Sequence, residues 1–586
     1  MPPEFPLFYI ISWIPMNRIL KLFTLFVLLF ASCSKSTTTD ETPTPPVDPV
    51  YPEILTFSLE EYPEADIEID NNENKIYIVL PEGSTLGTAT PIFTLSEGAT
   101  STPESGTAMD LSESQAIYLS AESGAARKYT VEASVAPASD ASVTAMYMPD
   151  YYADAVQSGK TFTFTLPYGA DVTAVTIEAT AKDGVTFSPD ISQPVDLSQP
   201  LTLTSTTADG KTSLQYTVKA VISEQEHAVR GVYLPSPSHT NSFLSYSKIC
   251  ESIDLLDELN FNCLFVCAWA QTKTAWDSDV LLANTNYSSA SQGNMYASYS
   301  GGSGDALHDI IEVAHSKGIR VILWFEYGFM HGNGGVNMSD PLLAKHPDWI
   351  GINSKGEYSN YNGTDFYLNA YSPEVQEFML SLMEEAIEKY PEVDGIQGDD
   401  RLPAMPRDSG YDDVTKALYY EDTGSYPPSN PEDSAWVEWR LDRLNGFARA
   451  MSERLRPKKE GLIVCFAPNK YPWCEGVLMQ DWPQWIADGA VDLLTVQFYV
   501  TVSYEYDVKQ ALGYVEQNTS ENILNPAMIL KNGDSILMEQ ILVSELKYNR
   551  SVGTCGESQF WFEGLKTDHV QKVFKAFYPA KAIFPL

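Results

Sequence analysis

From residue 229 to its end, the chain alternates short apolar runs with longer amphipathic segments, and this alternation limits the possible folds most. The runs have the length of buried strands, and the segments carry apolar residues at helical spacing. Eight strand-then-helix units in a row predict a parallel sheet, and eight is the number that closes a (β/α)8 barrel. We therefore expect an α/β TIM barrel over residues 228–586. Its predicted strands are 229–234, 262–269, 319–325, 393–398, 461–468, 491–499, 525–530 and 558–564.

The region before the barrel contains an internal repeat. "LPEG" at Leu80 returns as "LPYG" at Leu166, and "KYTVEA" at Lys128 returns as "QYTVKA" at Gln215, an offset of roughly 86 residues. Alternating Thr, Val, Ser and Ile between turn residues predict two all-β immunoglobulin-like sandwiches, at 51–136 and 138–223. Residues 51–223 contain no Trp, so spacers are favoured over carbohydrate-binding modules.

The start of the chain has the pattern of an export signal. Arg18 and Lys21 precede an apolar run, and a small residue stands before Cys33. This pattern predicts a signal peptide with a lipobox at 1–33 and a lipid on Cys33, which would anchor the protein to a membrane. The Ser, Thr, Pro and acidic residues of 34–50 predict a disordered linker. We expect an exported lipoprotein of the outer membrane, facing either the cell surface or the periplasm.

Charge and motif content exclude several functions. The net charge of −41 repels phosphate backbones, so no nucleic-acid partner is expected. The seven His are scattered without metal-ligand spacing, so the sequence predicts neither a metal nor another cofactor. Cys465 and Cys474 are the one pair worth testing as a disulfide, and the sequence favours free thiols there.

Polar side chains follow several of the predicted strands, on the barrel face where active sites of this fold are built. Asp399 and Asp400 end the fourth strand in "VDGIQGDDRLP", whereas Asp394 lies at its start and is expected to be structural. Arg401 beside the pair is expected to clamp Asp400 as an ion pair. The other candidates at strand ends are Glu326, Asn469, Glu475, Gln497, Tyr499, Lys531 and Glu563.

Several acids among aromatic side chains suit the hydrolysis of glycosidic bonds. This reaction uses one protonated carboxyl group and one carboxylate, and the CH faces of sugars pack on aromatic rings. The hypothesis makes Asp399 the nucleophile or base and Glu326 or Glu563 the proton donor, with a pKa raised by apolar neighbours. The Trp residues considered for the rim of the sugar site are Trp269, Trp276, Trp324, Trp473, Trp482 and Trp561.

Residues 229–586 also resemble the bacterial glycosyl hydrolase-like 10 family. The similar stretches include "AHSKGIRVILWF" at Ala314, "YPEVDGIQGDD" at Tyr390 and "WIADGAVDLLTVQFY" at Trp485. The resemblance implies a barrel hydrolase of glycans with Asp399 as leading catalytic residue. The chain departs from the family pattern at Gly398, where an aromatic is usual, at Arg401 and at Glu326. Gly398 is expected to open space in the pocket.

Two other functions remain open at this point. The barrel could be a glycan-binding lipoprotein without catalysis, which the changed flanks Gly398 and Arg401 would accommodate. It could also hydrolyse a different bond, such as a cell-wall amide, because fold alone does not fix function. A carbohydrate is the expected partner both for the glycan-binding lipoprotein and for the glycosidase.

Overall fold

The computed structural model describes residues 51–136 and 140–586. The chain divides into two compact units, the first ending at Ala136 and the second containing the rest. The predicted signal, the linker and Cys33 lie outside the described residues. Within the described part, none of the helices combines the length and the apolar character that crossing a membrane requires.

In its described part, from residue 51 to residue 136, the first unit contains β-strands and no helices. A five-stranded sheet of order β2-β3-β9-β8-β6 accompanies the antiparallel pair β1-β5, and an apolar core that includes Ile76, Ile117 and Tyr129 fills the unit. The sheet is mixed, because β3 and β9 run parallel. The strands are β1 (Ile54–Leu59), β2 (Asp66–Asp70), β3 (Lys75–Leu80), β4 (Thr88–Ala89), β5 (Pro91–Leu95), β6 (Ala99–Thr102), β7 (Met109–Asp110), β8 (Gln115–Ala121) and β9 (Ala126–Val135).

The second repeat has the same arrangement. Its five-stranded sheet has the order β12-β13-β17-β16-β15, and its parallel pair is β13 with β17. A three-stranded sheet, β11-β10-β14, accompanies it. The repeat seen in the sequence is therefore a repeat of topology. The strands are β10 (Val143–Met148), β11 (Ala153–Asp154), β12 (Val156–Ser158), β13 (Thr161–Leu166), β14 (Glu178–Ala181), β15 (Thr186–Ser188), β16 (Leu201–Thr206) and β17 (Ser213–Ile222).

The remainder of the second unit is a parallel sheet that curls into a TIM-like barrel with helices outside. Its main strands are buried on both faces and most of their residues are apolar, as expected for a parallel sheet covered by helices. The strands, including short ones in the loops, are β18 (Val229–Leu234), β19 (Cys263–Cys267), β20 (Arg320–Phe325), β21 (Met330–Asn333), β22 (Asn360–Tyr361), β23 (Asp365–Tyr367), β24 (Gly395–Gly398), β25 (Ile463–Phe466), β26 (Leu493–Leu494), β27 (Gln497–Phe498), β28 (Ala527–Ile529), β29 (Lys531–Asn532), β30 (Ser535–Ile536) and β31 (Gly556–Phe560).

The helices follow the barrel strands as the alternation predicts. Their apolar faces pack on the outside of the sheet in one continuous core. They are α1 (Tyr246–Glu258), α2 (Asp279–Asn284), α3 (Ala306–Ser316), α4 (Pro341–Lys345), α5 (Pro373–Lys389), α6 (Asp413–Thr423), α7 (Ser434–Leu455), α8 (Trp473–Leu478), α9 (Trp482–Ala487), α10 (Tyr504–Asn518), α11 (Glu539–Val552) and α12 (Asp568–Phe577).

The sixth strand position closes the ring of hydrogen-bonded pairs. It consists of β26, which pairs with β25, and β27, which pairs with β28. On the other side, β31 joins β28 to β18. The backbone of the predicted strand hydrogen-bonds to both neighbours, because the Gln497 N–H donates to the Pro468 carbonyl at 2.9 Å and the Ala527 N–H donates to the Val496 carbonyl at 2.9 Å.

Three local differences from the predicted elements concern the loops. The eighth strand ends at Phe560, and a short 3-10 helix at Phe562–Lys566 replaces its predicted end. The three-stranded sheet β21-β23-β22 occupies the loop after β20. The hairpin β29-β30 precedes α11. None of these short elements has the periodicity from which strands are predicted.

The second repeat packs against two barrel helices. The Tyr152 ring stacks on Phe577 of α12 with centroids 6.1 Å apart, and its hydroxyl donates a hydrogen bond to Glu539 of α11. Asp154 forms an ion pair with Lys547 of α11 at 2.7 Å. These contacts join the repeat and the barrel into one compact unit.

Candidate active site

The fourth barrel strand, β24, delivers two adjacent carboxylates to the carboxyl-terminal end of the sheet. Asp399 is 1% exposed, whereas the Asp400 side chain is 14% exposed. The same guanidinium nitrogen, Nη1 of Arg401, lies 3.1 Å from Asp399 Oδ2 and 2.8 Å from Asp400 Oδ1. The expected clamp of Asp400 by Arg401 is therefore present, and it also holds Asp399.

Amide side chains from the next two strands complete these hydrogen bonds. Gln497 of β27 donates from Nε2 to Asp399 Oδ1 at 2.8 Å. Asn469, after β25, donates from Nδ2 to Asp400 Oδ2 at 2.9 Å. Each carboxylate thus has an amide donor on one oxygen and Arg401 on the other. The structure brings together five predicted residues, namely Asp399, Asp400, Arg401, Asn469 and Gln497.

Burial and like charge act on Asp399 in the same direction. Removal of its carboxyl group from water raises its pKa well above the usual range, and the neighbouring Asp400 charge adds to this, while Arg401 opposes it. The more exposed member of the pair, Asp400, is the one that reaches the surface of the site. The structure therefore favours Asp400 over Asp399 as the carboxylate that meets a substrate.

Glycine at position 398 permits close packing at the end of β24. A Cβ atom there would lie 2.5 Å from the Leu402 carbonyl oxygen and 2.9 Å from the Phe466 ring. The space next to Gly398 is therefore filled by backbone and ring atoms. The expectation that this glycine opens space in the pocket is wrong.

Glu326 follows β20 and lies beside this cluster. Burial raises the pKa of Glu326 to about 7, with smaller opposing effects from the Cys267 thiol and from the Arg401 charge. Its Oε2 atom is buried without a hydrogen-bond partner. A carboxyl group with this pKa holds a proton at neutral pH to a large extent and can donate it. This is the direction that the hypothesis requires of a proton donor.

A cavity of about 580 Å³ opens beside Glu326 at the carboxyl-terminal ends of β18, β19 and β20. Its size is in the range of sites for small organic ligands. Its lining is mixed, with five uncharged polar residues, five apolar residues, one lysine and one tyrosine. Six of its lining residues are Ser236, Ser238, Gln271, Lys273, Asn294 and Tyr327.

Glu563 has the opposite environment to Glu326. Its carboxylate accepts hydrogen bonds from the hydroxyls of Thr240 and Ser242 and forms an ion pair with Lys566 at 2.9 Å. Although burial opposes them, these contacts hold the pKa of Glu563 below its ordinary value. The predicted raised pKa is wrong for Glu563, because hydrogen bonds from the hydroxyls and Lys566 favour the charged form.

The predicted sugar-binding tryptophans divide into three cases. Trp276 is buried and donates from Nε1 to Glu385 of α5 at 2.9 Å, so it packs under a helix and the prediction that it binds substrate is wrong. Trp324 is buried inside the barrel against Tyr233, with centroids 4.9 Å apart. Trp561 is half-buried beside His239, and its Nε1 has no partner. Trp561 is therefore the ring of the three that is nearest to the surface.

Other candidates have mostly structural positions. Tyr499 is half-buried, stacks on Phe560 with centroids 5.0 Å apart, and lies near the carboxylates: burial, together with the Tyr233, Asp399 and Asp400 groups, raises the pKa of its hydroxyl well above the usual range. Asp394 accepts hydrogen bonds from His315 at 2.8 Å and Arg320 at 2.6 Å, which is a structural arrangement. Glu475 accepts from Tyr471 at 3.0 Å, and Lys531 lies in the hairpin β29-β30.

The Cys267 thiol lies beside Glu326, whereas one acidic group on α3 belongs to a different part of the barrel. The six described Cys residues, including Cys465 and Cys474, are free thiols. Among the described residues, His308, Asp309 and Glu312 on α3 have the spacing to share a metal ion. Asp309 already accepts a hydrogen bond from the Tyr299 hydroxyl at 2.6 Å. This group is therefore separate from the candidate active site.

The sequence did not point to the loop after β19, which lines the cavity. Gln271 and Thr272 both have positive φ, at 45° and 61°, a conformation that costs free energy in residues with side chains. The Thr272 hydroxyl donates to Asp340 at 2.9 Å, and His331 lies 3.4 Å from the same carboxylate. These contacts hold Gln271 at the cavity, and no residue pattern in the sequence signals them.

Family profiles match both parts of the chain. The sequence profile of the family described as Glycosyl hydrolase-like 10 matches residues 228–534, and the profile described as SGBP, N-terminal matches residues 54–133 and 143–220. The chain is 24% identical over 167 residues to "Glycosyl hydrolase DigH" of Escherichia coli (strain K12), which is 28% of this chain and 36% of that protein. The chain thus spans about a third of the length of that curated relative.

Two solved structures of glycoside hydrolases are similar to this chain. The glycoside hydrolase domain of PgaB (BpsB) from Bordetella bronchiseptica shows 11% identity and a TM-score of 0.42, with 60% of this chain and 99% of that chain covered. The catalytic domain of β-amylase from Paenibacillus polymyxa shows 10% identity and a TM-score of 0.41, covering 61% and 99%. Since the family profile matches over half of the sequence, this chain belongs to the glycosyl hydrolase-like 10 family.

Proposed function

We propose that the barrel hydrolyses an O-glycosidic bond in an oligosaccharide or polysaccharide. The observation that carries this proposal is the pairing of Glu326, whose pKa is raised to about 7, with Asp400, which forms an ion pair with Arg401 at 2.8 Å. Family membership gives the proposal its chemical class. Glycoside hydrolysis requires such a difference in protonation between two carboxyl groups.

In the proposed reaction, Glu326 protonates the leaving oxygen of the scissile bond. Asp400, held by Arg401 and Asn469, supplies the carboxylate that attacks the sugar or activates water. Asp399 is the buried partner that fixes Arg401 and Gln497. Asp399 is therefore a positioning residue in this account, a change from the role that the sequence suggested.

A second candidate function rests on the same ion pairs. Arg401 donates to one oxygen of Asp399 and to one oxygen of Asp400. If Arg401 keeps both carboxylates ion-paired while a glycan is bound, neither carboxylate is free to act, and the site binds the glycan without cleaving it. We place this glycan-binding function second, because an unpartnered, buried oxygen of Glu326 has a free energy cost that binding alone does not require.

The finer points of placement are proposals of the same kind. We propose that the mature chain begins at a lipidated Cys33, that the protein is carried on the outer membrane, and that the two β-repeats are immunoglobulin-like. The sequence pattern before residue 34 and the two-sheet arrangement of the repeats support these proposals. Intact-mass measurement of membrane-extracted protein tests the first, and an unprocessed, unlipidated N-terminus would contradict it.

The experiment for the main proposal is product detection by mass spectrometry from a panel of plant, host and bacterial-wall glycans. Parent protein starting after Cys33 is compared with Glu326→Gln, Asp400→Asn and Asp399→Asn. We expect products from the parent. The rates of Glu326→Gln and Asp400→Asn should be on the order of a thousandfold below that of the parent. Glycan binding without any product would contradict the glycosidase proposal and support the glycan-binding function.

A further inference from the structure

An exposed tryptophan follows β25, the strand next to β24 in the barrel. Trp473 begins α8 and is 43% exposed. Tyr361 of β22 meets it edge to face, with centroids 6.0 Å apart and an interplanar angle of 82°. Such an edge contact fixes the orientation of an indole ring while its faces remain available.

Both rings belong to segments that contact the candidate active site. Trp473 lies four residues after Asn469, the amide that holds Asp400. Tyr361 belongs to the small sheet after β20, and this loop is tied to the Arg401 carbonyl by a hydrogen bond from the Phe329 N–H at 3.0 Å. A Cβ on Gly328 would collide with that carbonyl, so the loop approaches Arg401 closely.

The order of the strands places the acids between two binding regions. The cavity lies over the ends of β18, β19 and β20, Glu326 ends β20, and Asp400 ends β24. Trp473 follows β25, the next strand in the ring. A chain lying across this face from the second strand to the fifth would pass over Glu326 and Asp400 in its middle.

The charges in these regions indicate an uncharged ligand. Lys470, close to Trp473 in sequence, is paired with Asp507 at 2.7 Å, and Lys273 of the cavity donates to the Gln292 carbonyl at 3.0 Å. The protein as a whole carries a net charge of −41. A polyanionic glycan would meet an unfavourable potential, and these two cations already have partners.

We propose that Trp473, oriented by Tyr361, is a stacking platform for a sugar ring on the opposite side of the scissile bond from the cavity. The ligand is then a neutral glycan chain that occupies both regions, and cleavage is internal. This inference rests on the proposed function, since it uses the same pair of carboxyl groups. It adds the substrate class and the mode of cleavage.

The test uses defined linear neutral oligosaccharides, from disaccharide to octasaccharide, of the gluco-, xylo-, manno- and chito- series. Products are identified by mass spectrometry, and binding is followed by tryptophan fluorescence and by calorimetry. The variants are Trp473→Ala and Trp473→Phe. Tyr168→Ala is the matched control, because Tyr168 is also 43% exposed and lies in the second repeat, outside the barrel strands and loops that form the candidate site.

We expect internal cleavage of the long members, with kcat/KM roughly tenfold lower in Trp473→Ala, largely restored in Trp473→Phe and unchanged in Tyr168→Ala. The shortest substrates should show little effect of Trp473→Ala. If only terminal residues are released, and the parent and Trp473→Ala release them at the same rate, the proposed glycosidase activity is retained and the proposed stacking platform is overturned. Binding without cleavage that Trp473→Ala weakens would support the platform and overturn the glycosidase. Neither cleavage nor binding in any series would overturn both.

Discussion

At the residue scale, the same side chain has opposite properties at two strand ends. Glu326 is buried with one oxygen unpartnered, which raises its pKa to about 7. Glu563 accepts from Thr240, Ser242 and Lys566, which lowers its pKa. Sequence placed both residues at strand ends but could not rank them, because the hydroxyls come from a loop more than three hundred positions away. The environment of each carboxyl group decides which one can donate a proton.

The pKa of Glu326 predicts the alkaline side of the activity profile. A proton donor with a pKa of about 7 is half protonated at that pH, so kcat/KM should become level about one pH unit below it. Above pH 7 it should fall about tenfold for each pH unit. Steady-state kinetics against pH, on whichever glycan is cleaved, measure this. An activity that stays constant from about pH 6 to about pH 9 would contradict the role of Glu326.

Substitution of Gly398 tests how tightly the end of β24 is packed. In Gly398→Ala the new methyl group would meet the Leu402 carbonyl oxygen at 2.5 Å, so we expect a loss of about 1–3 kcal/mol in the free energy of unfolding. Gly476→Ala in α8 is the control, because a Cβ there meets nothing within 4 Å. Denaturant unfolding of both variants measures the difference. Equal stabilities would show that the backbone at Gly398 is not close-packed.

At the element scale, the barrel strands and their helices could be predicted because both are periodic. The helix expected after the third predicted strand, for example, is α5 at Pro373–Lys389. The loops could not be predicted, because hydrogen bonds between distant residues form them. The small sheet after β20 and the positive φ values at Gln271 and Thr272 are examples. Most of the cavity lining comes from such loops, which explains why the sequence located the acids and not the cavity.

Helix α11 contains a buried acid that should make stability depend on pH. Glu545 is 3% exposed, both its oxygens lack partners, and burial raises its pKa from 4.5 to about 8. The folded protein therefore binds a proton that the unfolded chain releases. Between about pH 4.5 and pH 8, this group should lower the free energy of unfolding by about 1.4 kcal/mol per pH unit as pH rises.

The variant Glu545→Met removes this group while keeping an apolar side chain of similar length. We expect its free energy of unfolding to fall less steeply with pH than that of the parent. The difference in slope should be that of one titrating proton, about 1.4 kcal/mol per pH unit. Glu438→Gln, at an exposed position of α7, should leave the slope unchanged. Urea unfolding at several pH values gives the slopes. The same slope in parent and Glu545→Met would show that Glu545 is ionised in the folded protein.

At the scale of the whole molecule, the repeat seen in the sequence predicted two equivalent β-units, and their five-stranded sheets do have the same strand order. What the sequence could not show is that the second repeat belongs to the same compact unit as the barrel. Tyr152 makes that attachment through a ring contact and a hydrogen bond. Neither partner, on α11 or α12, is near it in the chain.

Tyr152→Ala should therefore weaken the second unit as a whole. We expect a loss of about 3 kcal/mol in the free energy of unfolding from the lost ring. Tyr152→Phe, which removes only the hydroxyl donated to Glu539, should lose about 1 kcal/mol. Differential scanning calorimetry measures both. No change in the unfolding temperature of Tyr152→Ala would show that the repeat and the barrel are stabilised independently.

The most direct test of the central claim compares leaving groups. For the sugar identified in the glycan panel, hydrolysis of the natural oligosaccharide is measured beside hydrolysis of the glycosyl fluoride, whose leaving group needs no protonation. We expect Glu326→Gln to lose most of its activity on the oligosaccharide and little of its activity on the fluoride. Asp400→Asn should lose its activity on both substrates. Equal losses of Glu326→Gln on the two substrates would contradict Glu326 as the proton donor.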